Sequence, residues 1–399
     1  MGSGWNIMNV CIVNDVGFDG GGIAKLGIEY SKLGLDVYFK DITLPLQIRP
    51  NKTATVKFYA NADDLIDIIS KYDRVIFLTF YDNDLDSKVA TLLKLRLALP
   101  SVEFCYLYCD RRVDRLLLLL KFMEKYNVKF DYYFSINPNI LSIVPNCIYL
   151  NVNAFTFSKS DFNSRRKNIV LTAGRVEGFK GTLSYFNNID SDFLHSDFYY
   201  VHEGARFNFN KSGTISSPPQ LLMCFDTTVK PKKLRPEFAF KRYGELPEFD
   251  KLTIYPSYSV DDINRWSNYY AGICCILGSK SSCKNIKSLI GNNWVVENSR
   301  ENSLLTKKAK IWGSAVEYAN LEMIDCGLPV LFSRKYSEII DFHEDALIYD
   351  SFSQIPDKLD GLKVNYSTIQ QKQHDLFVDR QHIINAQIKQ VFTESLRVI

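Results

Sequence analysis

Two cations bracket a glycine-rich turn in Thr172-Ala-Gly-Arg-Val-Glu-Gly-Phe-Lys-Gly181, where Arg175 and Lys180 stand five residues apart just beyond an apolar strand pattern. Fixed positive charges at a strand end suit a diphosphate leaving group, whose negative charge grows as the bond to it breaks. A solvated basic loop is the bland reading; the strand-end placement favours a ligand. A second glycine cluster, Gly17, Gly20, Gly21 and Gly22, follows the first apolar run. Backbone N–H groups near a helix N-terminus can cradle phosphate or let a sugar approach the main chain. A plain tight turn explains the same glycines. The spacing excludes a P-loop, and Lys25 stands where a dinucleotide fingerprint needs its third glycine. In a third stretch, from Ala315 to Val330, Glu317 and Glu322 precede a Gly-Leu-Pro-Val strand start. That spacing puts the second carboxylate near the ligand end of a helix, where it could hold ribose hydroxyls bidentately. Taken alone, the stretch reads as surface glutamates.

Basic side chains also collect in two places. Arg111, Arg112 and Arg115 follow the strand pattern Val102–Tyr108, and Lys230, Lys232, Lys233, Arg235, Lys241 and Arg242 fall within 13 residues that hold one acid, Glu237. Phe238 and Phe240 interleave with the second cluster. Such clusters neutralise nucleic-acid phosphates; solvated faces or a membrane-surface patch would look the same. The histidines, His195, His202, His343, His374 and His382, lack metal-site spacing, so no metal is expected. His202, ahead of Glu203-Gly204, is expected to line the cleft that takes the diphosphate.

Strands alternating with helices must position these groups. Apolar runs over 9–13, 35–39, 74–80, 102–108 and 131–135 predict strands, and the segments 23–33, 62–71, 86–99 and 115–126 between them predict helices. Leu116–Leu120 reads as one buried helix face. A second series of strands is expected at 168–172, 198–201, 251–255, 272–277 and 328–332, with a helix over 367–396. Such alternation makes a parallel, doubly wound sheet with its ligand crevice at the carboxyl ends of the strands. Asn151–Lys167 breaks the rhythm. The expected division is therefore an N-terminal domain over 8–157, a second domain over 158–365, and a C-terminal helix over 366–399 that packs back towards the first. Two Rossmann-like, doubly wound α/β domains facing a cleft make the GT-B arrangement. Residues ahead of Met8 read as an artificial extension.

The composition agrees with a globular enzyme and excludes several other classes. With 399 residues, 46% of them hydrophobic and 23% charged, the chain is neither disordered nor low in complexity. A net charge of +3 gives no general affinity for nucleic acid, so a DNA partner has to rest on the local clusters. Nine cysteines show no Cys-x-x-Cys repeat, and Cys274 and Cys275 are adjacent, which predicts reduced thiols in a cytoplasm. No apolar run is long enough to span a bilayer.

Together, the three stretches resemble retaining glycosyltransferases of the GT-B fold, most closely the DNA α-glucosyltransferases of T-even bacteriophages. Val10-Cys-Ile-Val13 through Lys25 is similar to their N-terminal strand and glycine loop without a gap. Arg175 with Lys180-Gly181 keeps their Gly-Arg-x4-Lys-Gly spacing, and Glu317-Tyr-x-x-Leu-Glu322 before Cys326-Gly327 is similar to their third signature. These anchors run from residue 9 to 332, with a weaker match between about 205 and 310.

The resemblance implies a UDP-sugar donor, glucose or arabinose, with no cofactor required, and makes 8–157 the acceptor domain and 158–365 the donor domain. Arg175 and Lys180 would hold the diphosphate, Glu322 the ribose, and Gly20, Gly21, Gly22 and Glu317 the rest of the donor. It implies that the acceptor is double-stranded DNA carrying a hydroxymethylated pyrimidine, above all 5-hydroxymethylcytosine, whose base must be flipped out of the duplex. Arg111, Arg112, Arg115, Lys232, Lys233 and Arg235 would lie on the DNA. Asp110 matches the family's catalytic aspartate and could orient the acceptor hydroxyl and take its proton. The family's His-Asp-His is here Cys109-Asp110-Arg111, and the first glutamate of its Glu-x7-Glu pattern falls on Ser314. No membrane partner is implied, and the place of action is the cytoplasm of an infected cell. Two other readings stay open: a GT-B transferase acting on a polysaccharide or lipid, and a non-catalytic nucleotide-sugar- or DNA-binding protein.

Overall fold

The computed structural model describes residues 8–15, 22–41, 57–79, 85–109, 113–135, 144, 146–158, 162, 166–174, 181–188, 193, 196–204, 208–209, 215–217, 238–240, 251–255, 265–276 and 316–394. The chain divides into two units, one made of residues up to Thr156 together with those from Arg380 onward, the other of Phe157–Asp379.

In the first unit, strands β1 (Val10–Asn14), β2 (Asp36–Lys40), β3 (Lys57–Tyr59), β4 (Arg74–Thr79), β5 (Glu103–Tyr108), β6 (Tyr132–Ser135) and β7 (Cys147–Tyr149) form one sheet in the order β3-β2-β1-β4-β5-β6-β7. Every neighbouring pair is parallel. Helices α1 (Gly22–Lys32), α2 (Ala62–Ile69), α3 (Leu85–Ala98) and α4 (Val113–Lys125) are the crossovers. All five residues of β1 are buried, as an inner strand covered on both faces requires. α2 starts at Asn61, whose side chain accepts from the Asp63 and Asp64 amides at 2.9 and 3.1 Å. The leucine run does not form a single buried face. Leu116 and Leu119 are buried with Met123, while Leu117, Leu118 and Leu120 are only half-buried. A period of 3.6 cannot turn five consecutive residues the same way.

The second unit holds β8 (Ile169–Ala173), α5 (Thr182–Asn188), β9 (Tyr199–Glu203), β10 (Asn208–Phe209), β11 (Ile215–Ser217), β12 (Phe238–Phe240), β13 (Leu252–Tyr255), β14 (Ala271–Ile273), α6 (Tyr318–Asp325), β15 (Val330–Ser333), α7 (Arg334–Ile339), β16 (Ile348–Tyr349), α8 (Ile355–Leu362) and the first part of α9 (Tyr366–Thr393). Its main sheet runs β12-β13-β9-β8-β14-β15-β16, again parallel throughout. β10 and β11 form a separate antiparallel pair. Phe238 and Phe240, which interleave with the basic cluster in sequence, have their backbone in edge strand β12. β16 is too short to cover all of β15, and a side chain completes the edge. The buried Gln373 amide accepts from the Val330 N–H at 2.7 Å and donates to the Val330 carbonyl at 2.9 Å.

α9 contributes to both units, its residues up to Asp379 to the second and those from Arg380 to the first. In the first unit Asn385 bonds both backbone groups of Phe155, at 3.2 and 2.8 Å, and Gln381 donates to the Asn153 carbonyl at 2.7 Å. At its carboxyl end Arg74, with no exposed surface, donates from Nη1 to the carbonyls of Phe392 and Glu394 at 2.7 and 2.9 Å and from Nε to Glu103 at 2.7 Å.

Candidate functional site

In open parallel sheets the ligand crevice lies outside the carboxyl ends of the strands, where the strand order reverses. In the second unit that point falls between β8 and β14, and among the described residues Gly174, Gly181 and Gly204 stand at that edge. β8 runs into Gly174, and the described chain resumes at Gly181, ahead of α5. Gly181 has φ +73°, and a side-chain carbon on it would lie 1.6 Å from the Cys275 carbonyl oxygen. Only glycine fits a seat that is both left-handed and in contact with another backbone. The seat itself is fixed, because Tyr349 donates to the Cys274 carbonyl at 2.7 Å and Ser333 to the Ile276 carbonyl at 2.6 Å. A side-chain carbon on Gly204, just past β9, would lie 3.2 Å from the Gly174 carbonyl. Arg175 and Lys180 lie outside the described residues; the residues bonded to them are Gly174 and Gly181.

Helix α6 reaches the same edge. Gly272 in β14 leaves room for Met323, whose sulfur would be 2.6 Å from a side-chain carbon there, and Asn320 Nδ2 donates to Cys274 Sγ at 3.2 Å. Asn320 thus faces the residue beyond the strand and Met323 faces its middle, so α6 runs antiparallel to β14 with its N-terminus at the carboxyl edge. Glu317 is the N-cap residue, with ψ 143°, and its side chain makes no capping bond. Glu322, expected near the ligand end, sits beyond the middle of the helix, where every residue from Ala319 to Ile324 is buried. Of the two carboxylates, Glu317 is the nearer to the edge. The helix closes with a paired turn, Gly327 N–H to Ile324 at 2.8 Å and Leu328 N–H to Met323 at 3.0 Å. Burial, with Asp325 and Glu322 beside it, pushes the Cys326 thiol up to about 12 against the opposing pull of Arg166.

His202 lies in β9 beside this edge, fully buried, with Nδ1 2.8 Å from Thr172 Oγ1 and Phe186 edge-on to its ring at 5.1 Å. Burial holds its pKa down at about 3, so the ring is neutral. A depressed folded-state value means that the unfolded chain takes the proton first. The contribution to stability is complete above pH 6.5 and is lost as pH falls towards 3. The total is roughly 4–5 kcal/mol for a shift of this size. Urea unfolding of His202→Gln at a series of pH values is expected to show a flatter decline than the wild type across that window. Glu203, also buried, serves structure: it accepts from Arg265 at 2.6 Å and from the Trp266 ring N–H at 3.1 Å.

At the corresponding edge of the first unit the strand order reverses between β1 and β4. Gly22 opens α1, exposed, with nothing within 4 Å of a side-chain carbon placed on it. Gly20, Gly21, Asp110, Arg111, Arg112, Lys230, Lys232, Lys233, Arg235, Lys241, Arg242 and Ser314 lie outside the described residues, and Arg115 is described only as backbone in α4. Asp15, which follows β1, is a site residue with no signal in the sequence. Its carboxylate pairs with Lys88 of α3 at 2.5 Å and accepts from Tyr59 at 3.2 Å. Partners brought from separate elements leave no spacing pattern to read. Among the described residues no group of three or more His, Cys, Asp or Glu could hold a metal, and no helix is long and apolar enough to cross a membrane.

No protein-family model matches the chain, and no curated protein sequence matches it. Solved structures match it along nearly its whole length, two of them with UDP or UDP-glucose and DNA bound. One is an alpha-glucosyltransferase in complex with UDP-glucose and DNA containing an abasic site, at TM-score 0.62 and 15% identity over 97% of this chain and 96% of that one. The other is an alpha-glucosyltransferase in complex with UDP and a 13-mer DNA containing a central A:G mismatch, at TM-score 0.59 and 14% identity over 98% and 96%. With its two parallel sheets and interleaved helices, the chain has the two-domain α/β GT-B fold.

Proposed function

We propose that this chain is a DNA glycosyltransferase that moves a sugar from a UDP-sugar to the hydroxymethyl group of 5-hydroxymethylcytosine in DNA, with retention at the anomeric carbon. The observation that carries the reading is the end-to-end fold correspondence with two alpha-glucosyltransferases solved with UDP or UDP-glucose and with DNA. The glycine clamp on either side of the Arg175–Lys180 stretch supports it. In the transfer, the acceptor oxygen bonds to the anomeric carbon as the bond from that carbon to the diphosphate breaks. The hydroxyl proton passes to the departing phosphate oxygen on the same face or to Asp110. Arg175 and Lys180 neutralise the charge that grows on the diphosphate, and Glu322 and Glu317 hold the donor from α6. Arg111, Arg112, Arg115, Lys232, Lys233 and Arg235 bind the duplex. Glucose is the first donor to test and arabinose the second. The reaction takes place in the cytoplasm of an infected cell.

The test is incubation with UDP-glucose and UDP-arabinose in separate tubes, each with a hydroxymethylcytosine duplex and an unmodified control, followed by digestion to nucleosides and mass spectrometry. The expected result is a mass gain on the modified nucleoside alone, whose size separates hexose from pentose. No gain with either donor overturns the reading. Lys180→Ala is expected to lose roughly 2–4 kcal/mol of transition-state stabilisation, about 30- to 1000-fold in turnover. Unchanged turnover in a folded variant would remove Lys180 from the site.

A further inference from the structure

His202, Glu203 and Gly204, at the end of β9, all act on Gly174, the residue to which Arg175 is bonded. The Glu203 carbonyl accepts from the Gly174 N–H at 2.8 Å. Gly204 leaves clearance, since a side-chain carbon on it would lie 3.2 Å from the Gly174 carbonyl. His202 stands opposite Thr172 in the sheet register, two residues ahead of Gly174. Its ring also meets Phe186 of α5, the helix that begins just after Gly181.

Packing does not call for a histidine here. The ring has no exposed surface, and Nε2 makes no full hydrogen bond among the described residues. Phenylalanine or leucine would fill a buried position without the destabilising unbonded polar atom. What faces the ring is the Gly174 backbone, and its effect is to favour a proton there. An amide N–H would oppose that proton, so the facing group is the Gly174 carbonyl. A carbonyl needs an N–H opposite it, and this decides the tautomer. Thr172 Oγ1 lies 2.8 Å from Nδ1 and 3.3 Å from the Val201 carbonyl, so two acceptors compete for its proton. With the Nε2 proton turned to Gly174, Nδ1 is bare and the hydroxyl donates to it.

We propose that His202 is a positioning residue for the donor: its Nε2–H holds the Gly174 carbonyl and fixes the direction in which the chain leaves β8. Glu203 holds the other side of the same glycine, whose φ of +113° marks a backbone with freedom to be restrained. That the fixed turn serves a UDP-sugar rests on the function proposed above, whereas the hold on Gly174 does not.

The tautomer is read on the wild type with isotope-labelled histidine, in nitrogen–proton correlation spectra that assign His202 by its contact with the Phe186 ring. A proton on Nε2 is expected, and a proton on Nδ1 overturns the proposal. Three variants then separate the two nitrogens. Glutamine puts an amide nitrogen near the place of Nε2, asparagine puts one near Nδ1, and phenylalanine keeps only the shape. By calorimetry, His202→Phe and His202→Asn are expected to bind UDP about three- to tenfold more weakly, while His202→Gln binds as the wild type does. Duplex affinity by fluorescence anisotropy is expected to stay unchanged in all three. Were the ring only packing, UDP affinity would follow stability in urea and not the nitrogen retained. Wild-type UDP affinity in a folded His202→Phe, or a His202→Gln as weak as His202→Phe, overturns the role. A wild type that binds no UDP overturns the proposed function instead. The hold on Gly174 is then decided by the tautomer and by amide hydrogen exchange at Gly174, expected to be faster in His202→Phe than in His202→Gln.

Discussion

Gly181→Ala is expected to lose about 3 kcal/mol or more of stability and at least tenfold in affinity for UDP. Two costs add. A non-glycine residue at φ +73° carries strain on the order of 1–3 kcal/mol. The new methyl group also falls 1.6 Å from the Cys275 carbonyl oxygen, which is backbone and has no rotamer to escape into. Cys275 cannot yield cheaply, because Tyr349 and Ser333 hold the carbonyls on either side of it. The turn must therefore leave its seat, and the Arg175–Lys180 stretch moves with it. Gly34→Ala is the control: Gly34 has φ +84° but nothing within 4 Å of an added carbon. It should show the strain alone and leave UDP affinity intact. Urea unfolding and calorimetry on both variants separate the effects. Wild-type stability and affinity in Gly181→Ala would show that the clamp does not matter.

Arg74→Leu is expected to cost about 3–5 kcal/mol, the range for removing one partner from a buried charged network. The guanidinium bonds Glu103 with one edge and the last turn of α9 with the other. That turn has unpaired carbonyls and the negative end of the helix dipole. Leucine leaves the Glu103 carboxylate and these carbonyls without their donor. Arg74→Lys keeps the charge but cannot span both sides, so it should recover only part of the loss. Urea unfolding measures both variants. A cost below about 1 kcal/mol for leucine would contradict the cap, since buried charged networks lose more than that when broken.

Long elements with a clear period were readable from the sequence. The expected helix over 367–396 is Tyr366–Thr393, and the expected strand over 131–135 is Tyr132–Ser135. Several shorter strands were not. β3, β7 and β16 have three, three and two residues, too few for any alternation to register. The strand expected over 328–332 starts only at Val330, because the Leu328 N–H closes α6 and Pro329 has no N–H to give. Around the site, glycine and strand ends were visible locally, which is why the edge at Gly174 and Gly181 was found. The depth of Glu322 depends on the packing of its neighbour Met323 against Gly272, which is distant in sequence. The pairing of Asp15 with Lys88 likewise exists only once β1 and α3 have assembled.

The capping role of Arg74 has a consequence for the order in which this protein can be made. Its acceptor carbonyl on Phe392 is 318 residues further along the chain, and the first unit includes everything from Arg380 onward. A ribosome adding roughly 5–20 residues per second takes on the order of 15–60 s to cover that distance. Through that interval the nascent sheet carries a buried-type arginine without its helix end, while the whole second unit is being synthesised. The N-terminal unit is thus begun first and finished last, and release of the final turn of α9 from the exit tunnel is the step that closes it.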